Sequence, residues 1–248
     1  MPPSTTPAPD PDPDPDPDPA PARSPDPEAR GVPLVAVFLA LTAVSGLIDA
    51  VSFLGLGRVF TANMTGNVVI LGFAAARAPG FSAGHTATSL AGFLLGAAAS
   101  GRVAAWHRTE SRRARARLTL ALEAVLTGGA AALAFARPDA TGPGSGTGYA
   151  LIALTAFAMG LRSAAVRRLG VADLNTTVLT MTLTGLFSES RLGDATSRRS
   201  PRRAGAGLAM LAGACLGAWL VLHHGPALPL LVAAATAAVL AVVTSGRE

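Results

Sequence analysis

Lysine is absent from this 248-residue chain, so all 20 basic residues are arginines. Without lysine there is no P-loop, no Schiff-base lysine and no Ser-Lys catalytic pair. Cysteine occurs once, as Cys215, which excludes an intramolecular disulfide and a cysteine-based metal cluster. No H-E-x-x-H pattern occurs, and the apolar runs hold no histidine near a carboxylate. The clustered nucleophile, base or metal ligands of an intramembrane enzyme are therefore missing, and no catalysis, cofactor or metal is expected. Charged residues make up 14% of the chain against 50% hydrophobic. The net charge of +5 comes from arginines lying between apolar runs, with no RRM, zinc-finger or helix-turn-helix pattern to organise them, so no nucleic-acid partner is expected. The composition that remains is that of an all-α integral membrane protein, whose first partner is the lipid bilayer.

The totals average two unlike pieces. Residues 1–30 hold 12 of the 19 prolines and 7 of the 15 acidic residues, largely as an Asp-Pro repeat. Such a segment has too little apolar surface to offset the entropy of ordering, so a disordered, polyproline-like acidic tail is expected. It has neither the basic start nor the apolar core of a signal peptide, and the first hydrophobic run should itself act as an uncleaved membrane signal. Residues 31–248 form the expected membrane domain.

That domain contains eight apolar runs: 34–56, 59–76, 87–106, 118–136, 149–166, 174–187, 205–222 and 227–243. A span needs about 20 mainly apolar residues, and six runs are long enough. The second run opens with Thr61, Asn63, Thr65 and Asn67, leaving an apolar stretch from Val68 that covers about 13.5 Å of a core roughly 30 Å thick. The sixth is short and carries Asn175, Thr176, Thr177, Thr180, Thr182 and Thr184. Both read as re-entrant or half-membrane helices entered through a polar, partly unwound segment.

These short segments hold equivalent places in an internal repeat. Gly46-Leu-Ile-Asp49-Ala50 before the first resembles Gly160-Leu-Arg-Ser163-Ala164 before the second, and Gly92 and Gly96 correspond to Gly213 and Gly217. Repeat one is 34–136 and repeat two is 149–243. Arginine placement tests the topology, because cytoplasmic loops accumulate arginine. With neither short segment crossing, 15 arginines lie inside and Arg58, Arg77 and Arg137 outside; with both crossing, the division is 8 to 10. Seven spans give 14 to 4, so a seven-span alternative stays open, and internal symmetry favours six. Both termini are then cytoplasmic and the two repeats are inverted, as in many channels and secondary transporters.

Three segments carry a family resemblance: G-L-I-D-A-V-S-F-L-G-L-G-R-V-F-T-A-N-M-T-G-N-V-V at 46–69, A-G-F-L-L-G-A at 91–97, and M-G-L-R-S-A-A-V-R-R-L-G from Met159. They resemble the YoaK family of bacterial membrane proteins, a domain of unknown function, over residues 34–243. The resemblance implies an integral, multi-pass protein of the bacterial plasma membrane and leaves its activity open.

The candidate site starts at Asp49, an ionisable group inside the first long run, where a charge usually faces a bundle interior or a water path. It can bind a cation or proton, pair with Arg162, or sit near enough to the interface to be solvated. Ser52 is placed to share its face. Thr61, Asn63, Thr65, Gly66 and Asn67 gather hydroxyl and amide groups around a glycine able to take a positive φ; they either contact a solute or cap a half-helix. Thr176, Thr177, Thr180 and Thr182 admit the same two readings. Gly92, Gly96, Gly213 and Gly217 are small-residue faces for close helix packing, within the chain or across a homo-oligomer. Glu123 is expected to pair with the arginine cluster at 108–117, and His223 and His224 to lie in a solvated turn. The expected function is a bacterial inner-membrane permease or channel-like protein for a small solute, with a non-transporting scaffold or sensor as the alternative.

Overall fold

The computed structural model describes residues 34–106, 111–142, 144–169 and 200–244. Within them the chain is helical, with α1 (Leu34–Gly55), α2 (Met64–Ala75), α3 (Ala83–Trp106), α4 (Arg112–Ala136), α5 (Gly146–Leu169), α6 (Ser200–His224) and α7 (Ala227–Val243). Apolar runs become helices because in lipid every backbone polar group must be satisfied within its own segment. Their ends follow local chemistry. Ser111 caps α4 by accepting the Ala114 N–H at 3.2 Å, and Gly225, at φ 71°, makes the tight turn between α6 and α7 ahead of Pro226.

Among the described residues, four helical segments are long and apolar enough to cross a membrane: Ala36–Gly55, Ala114–Ala136, Gly146–Arg168 and Ala204–His224. Two of the six expected spans fall short of that standard. α3 has the length but is diluted by His85, Thr86, Thr88, Ser89, Ser100 and Arg102, and α7 has 17 residues. The first expected short segment is short, with 12 helical residues in α2. The second, with Thr176, Thr177, Thr180 and Thr182, lies outside the described residues.

Helix pairing follows the glycines. α1 crosses α6 where Gly46 meets the Met210 carbonyl and Gly213 meets the Ala43 carbonyl; α3 crosses α5 where Gly96 meets the Phe157 carbonyl and Gly160 the Phe93 carbonyl. A Cβ at any of these four glycines would collide with backbone. Gly92 and Gly217 extend the same two seams against Ala153 and Leu47. The four glycines that left open a crossing within the chain or between copies are thus spent on crossings within it. α4 packs on α7 and on α5, α7 also touches α1, and α2 lies against α3.

The core gathers Val44, Leu47, Ile48 and Val51 of α1 with Ala130 and Ala131 of α4, Leu151, Ile152 and Met159 of α5, and Leu230 of α7. Large apolar side chains point outward instead, Leu94 and Leu95 on α3 and Leu208 and Leu211 on α6 among them. Around a membrane protein that outer surface meets acyl chains, so large apolar side chains outside as well as in the core agree with the lipid setting.

Candidate functional site

On α1, Ser45, Asp49 and Ser52 fall at i, i+4 and i+7, which puts them on one face, and all three are buried. After Gly55 the chain leaves the helix for eight residues, turning at Gly57 (φ 113°) and Arg58 (φ 58°), before α2 begins at Met64. Gly57 is needed twice over, for its positive φ and because a Cβ there would strike the His85 ring.

Asp49 satisfies the backbone of this break. Its Oδ1 accepts the Thr61 N–H at 2.9 Å and the Ala62 N–H at 2.7 Å, and the Asn63 N–H lies close to the same carboxylate. A carboxylate from twelve residues upstream therefore does the work of a helix cap, on a segment that lipid would otherwise leave unsatisfied. Its other oxygen, Oδ2, is buried and accepts no hydrogen bond from the described residues. Ser52 donates to the Asp49 carbonyl at 3.2 Å and accepts from the Thr61 hydroxyl at 3.4 Å.

Asn67 clasps the break from the other side. Its Oδ1 accepts the Phe60 N–H at 2.9 Å while its Nδ2 donates to the Phe60 carbonyl at 2.6 Å, as a neighbouring β-strand would. Nδ2 also donates to the Ser89 hydroxyl of α3 at 3.1 Å, and Ser89 donates to the same Phe60 carbonyl at 2.6 Å. The Phe60 ring stacks on Phe53 with centroids 5.0 Å apart. Asn63 caps α2 by accepting the Gly66 N–H at 3.5 Å, and Asn63 and Thr65 are exposed. Gly66 does not use a positive φ: it lies inside α2, where a Cβ would come within 2.7 Å of the Phe60 ring. Close approach, not backbone conformation, is what calls for glycine there.

Arg162 pairs with Glu123 and not with Asp49, which corrects the ion-pair alternative among the three readings of Asp49 and the expected pairing of Glu123 with the 108–117 arginines. Arg162 Nη1 lies 2.7 Å from Glu123 Oε1. Its Nη2 donates to the Ser45 hydroxyl, one turn before Asp49, and contacts Met159 Sδ at 3.0 Å. Glu123 sits eleven residues into α4, fully buried, too deep to reach the arginines at the start of that helix. Its Oε2, like Asp49 Oδ2, accepts no hydrogen bond from the described residues. Part of the signal was in the sequence: Arg162 lies inside an apolar run, as do two acids, Asp49 and Glu123, and buried charges in lipid are costly unless paired, but which acid takes the arginine is not written there.

His85 is a further buried polar group that sequence reasoning passed over. Its Nε2 accepts the Gly144 N–H at 3.2 Å and its ring lies 4.5 Å from that of Tyr149, tying the start of α3 to the turn before α5. His223 and His224 are exposed but lie in the last turn of α6 and not in the turn that was expected, with His223 stacked on Trp219.

The family described as "Protein of unknown function (DUF1275)" matches residues 37–243, a stretch that includes Asp49, Asn67, Glu123 and Arg162. The "UPF0700 transmembrane protein YoaK" of Bacillus subtilis (strain 168) is 36% identical over 151 residues, which is 61% of this chain and 64% of that relative. The match thus spans somewhat less than two thirds of the relative's length. No solved structure matches the chain.

Proposed function

The chain belongs to the DUF1275 family of proteins of unknown function, and from that membership in a membrane family we propose that it is an inner-membrane permease or channel-like protein for a small solute. One observation carries the reading: the helix break at 56–63 is held inside the membrane domain by Asp49 and Asn67, and the carboxylate that holds it keeps a free, buried oxygen. Broken helices with polar backbone at membrane depth are the way transporters and channels present a site to a solute. In this reading α3 and α7 cross the membrane beside the four strongly apolar helices, since α3 runs along α5 and α7 along α4. At 24 residues α3 reaches about 36 Å, enough for a core of roughly 30 Å.

The glycine seams support the repeat. If α1 and α5 are equivalent, and α3 and α6 likewise, then the α1·α6 crossing is the counterpart of α5·α3, and α4·α7 joins the closing helices of the two halves. We take the halves as inverted, with both termini cytoplasmic. The scaffold reading draws on a different observation, that the polar atoms of Thr61 and Asn67 are engaged by partners in the chain itself. Uptake of a panel of small solutes by a deletion strain, complemented with wild type or with Asp49→Asn, separates the two. A solute whose uptake needs the wild-type chain and falls at least tenfold with Asp49→Asn supports the permease; uptake equal in all three strains across the panel overturns it.

A further inference from the structure

We propose that Asp49, Glu123 and Arg162 form a binding site for a single proton, and that the proton's arrival on Asp49 loosens the latch holding the start of α2. The inference rests on the reading of the Asp49 region as the functional site, and names the ion that acts there. Three facts converge. All three side chains are buried, at 4%, 0% and 5% exposure, and they carry two negative charges against one positive. Arg162 joins the two acids: Nη1 is on Glu123 and Nη2 on Ser45, one helical turn from Asp49. Each carboxylate commits one oxygen, Asp49 Oδ1 to two backbone N–H groups and Glu123 Oε1 to the guanidinium, while Oδ2 and Oε2 accept nothing from the described residues.

A buried cluster with one uncompensated negative charge is unfavourable in a low-dielectric medium, and one cation neutralises it. A hard metal cation of the calcium type draws on about six oxygens or more. A proton needs one, and two are free. When it forms an O–H bond at Glu123 Oε2, the contact with Arg162 becomes a hydrogen bond to a neutral acid and Asp49 stays charged. When that bond breaks and the O–H bond forms at Asp49 Oδ2, the Glu123–Arg162 ion pair is restored and Asp49 becomes neutral. Charge-assisted hydrogen bonds are roughly twice as strong as neutral ones, so the grip on the Thr61 and Ala62 N–H groups then weakens. Those two residues lead directly into α2, and Asn67 and Ser89 are left to hold the break.

Among the described residues, no other ionisable group makes a hydrogen bond or ion pair with Asp49, Glu123 or Arg162. α7 carries none. Cys215, His223 and His224 of α6 are exposed, Arg58 is exposed in the break, and the buried His85 of α3 faces Gly144 and Tyr149.

Infrared difference spectra between acid and alkaline buffer, on the full chain in phosphatidylethanolamine–phosphatidylglycerol vesicles, test the site without reference to any solute. A protonated-carboxyl band should titrate in the wild type, change in Asp49→Asn, and change again in the charge-balanced double variant Glu123→Gln with Arg162→Gln, which leaves no unpaired arginine to impair folding. A band indifferent to both changes overturns the proton site, and so does one displaced by sodium at constant pH. The latch is read separately at one pH, through maleimide labelling of Thr65→Cys in a Cys215→Ser background: Asp49→Asn, which mimics the neutral acid, should raise the rate at least threefold. Equal rates overturn the latch. A failed band with solute uptake intact sinks the proton and spares the permease; a titrating band with no solute found does the reverse.

Discussion

Arg162 meets three different groups with one planar side chain, the carboxylate of Glu123, the hydroxyl of Ser45 and the thioether of Met159. In a buried setting the worth of such a pair lies less in its attraction than in what is left when one member goes. Glu123→Ala should therefore destabilise the protein by about 3–5 kcal/mol, because the buried guanidinium loses the carboxylate bonded to it and Asp49 makes no hydrogen bond to replace it. Replacing both members with methionine should change stability by only about 1 kcal/mol in either direction, since the charges leave together. Thermal unfolding midpoints in detergent micelles compare the variants; a single variant as stable as the double contradicts the argument. The residue scale is also where sequence reading went furthest and then stopped. Asp49, Thr61 and Asn67 stood out because polar groups in apolar runs are conspicuous. That Asp49 would hold backbone N–H groups twelve and thirteen residues away, and that Arg162 would choose Glu123, depend on distances that no spacing along the chain contains.

At the scale of helices, small residues decide which elements touch. Gly213 lets α6 approach the Ala43 carbonyl of α1, and Gly160 lets α5 approach the Phe93 carbonyl of α3. Gly213→Val or Gly160→Val must push two helix backbones apart, at a cost of about 2 kcal/mol or more, because close packing is the main force joining helices in lipid. Gly129 on α4 makes the contrast, since nothing lies within 4 Å of a Cβ there. Gly129→Ala should be neutral or gain about 0.5–1 kcal/mol from helix propensity. Unfolding midpoints again decide, and a Gly213→Val variant as stable as Gly129→Ala would refute the seam. The glycine pattern was legible as a packing face. Whether the face served the chain itself or a second copy was not, because a small-residue stripe is complementary to any other.

For the molecule as a whole, the topology we propose from the arginines puts the 108–117 cluster inside and Arg58, Arg77 and Arg137 outside. Cysteine labelling in a Cys215→Ser background checks it. Ser111→Cys should react with an impermeant maleimide only after cells are permeabilised, and Asp139→Cys in intact cells; both residues are exposed. The reverse pattern would invert the orientation, and the same reactivity on both would place α4 outside the set of spans.

Membrane residence, the position of the first break and the arginine bias were determined by the sequence alone, because hydropathy and charge add up residue by residue along the chain. The tertiary structure decided the partners. α1 pairs with α6 and α5 with α3, Asp49 holds the break and Glu123 takes Arg162, because partner choice in lipid turns on close approach and on matching buried polar groups, and both are properties of helices already packed.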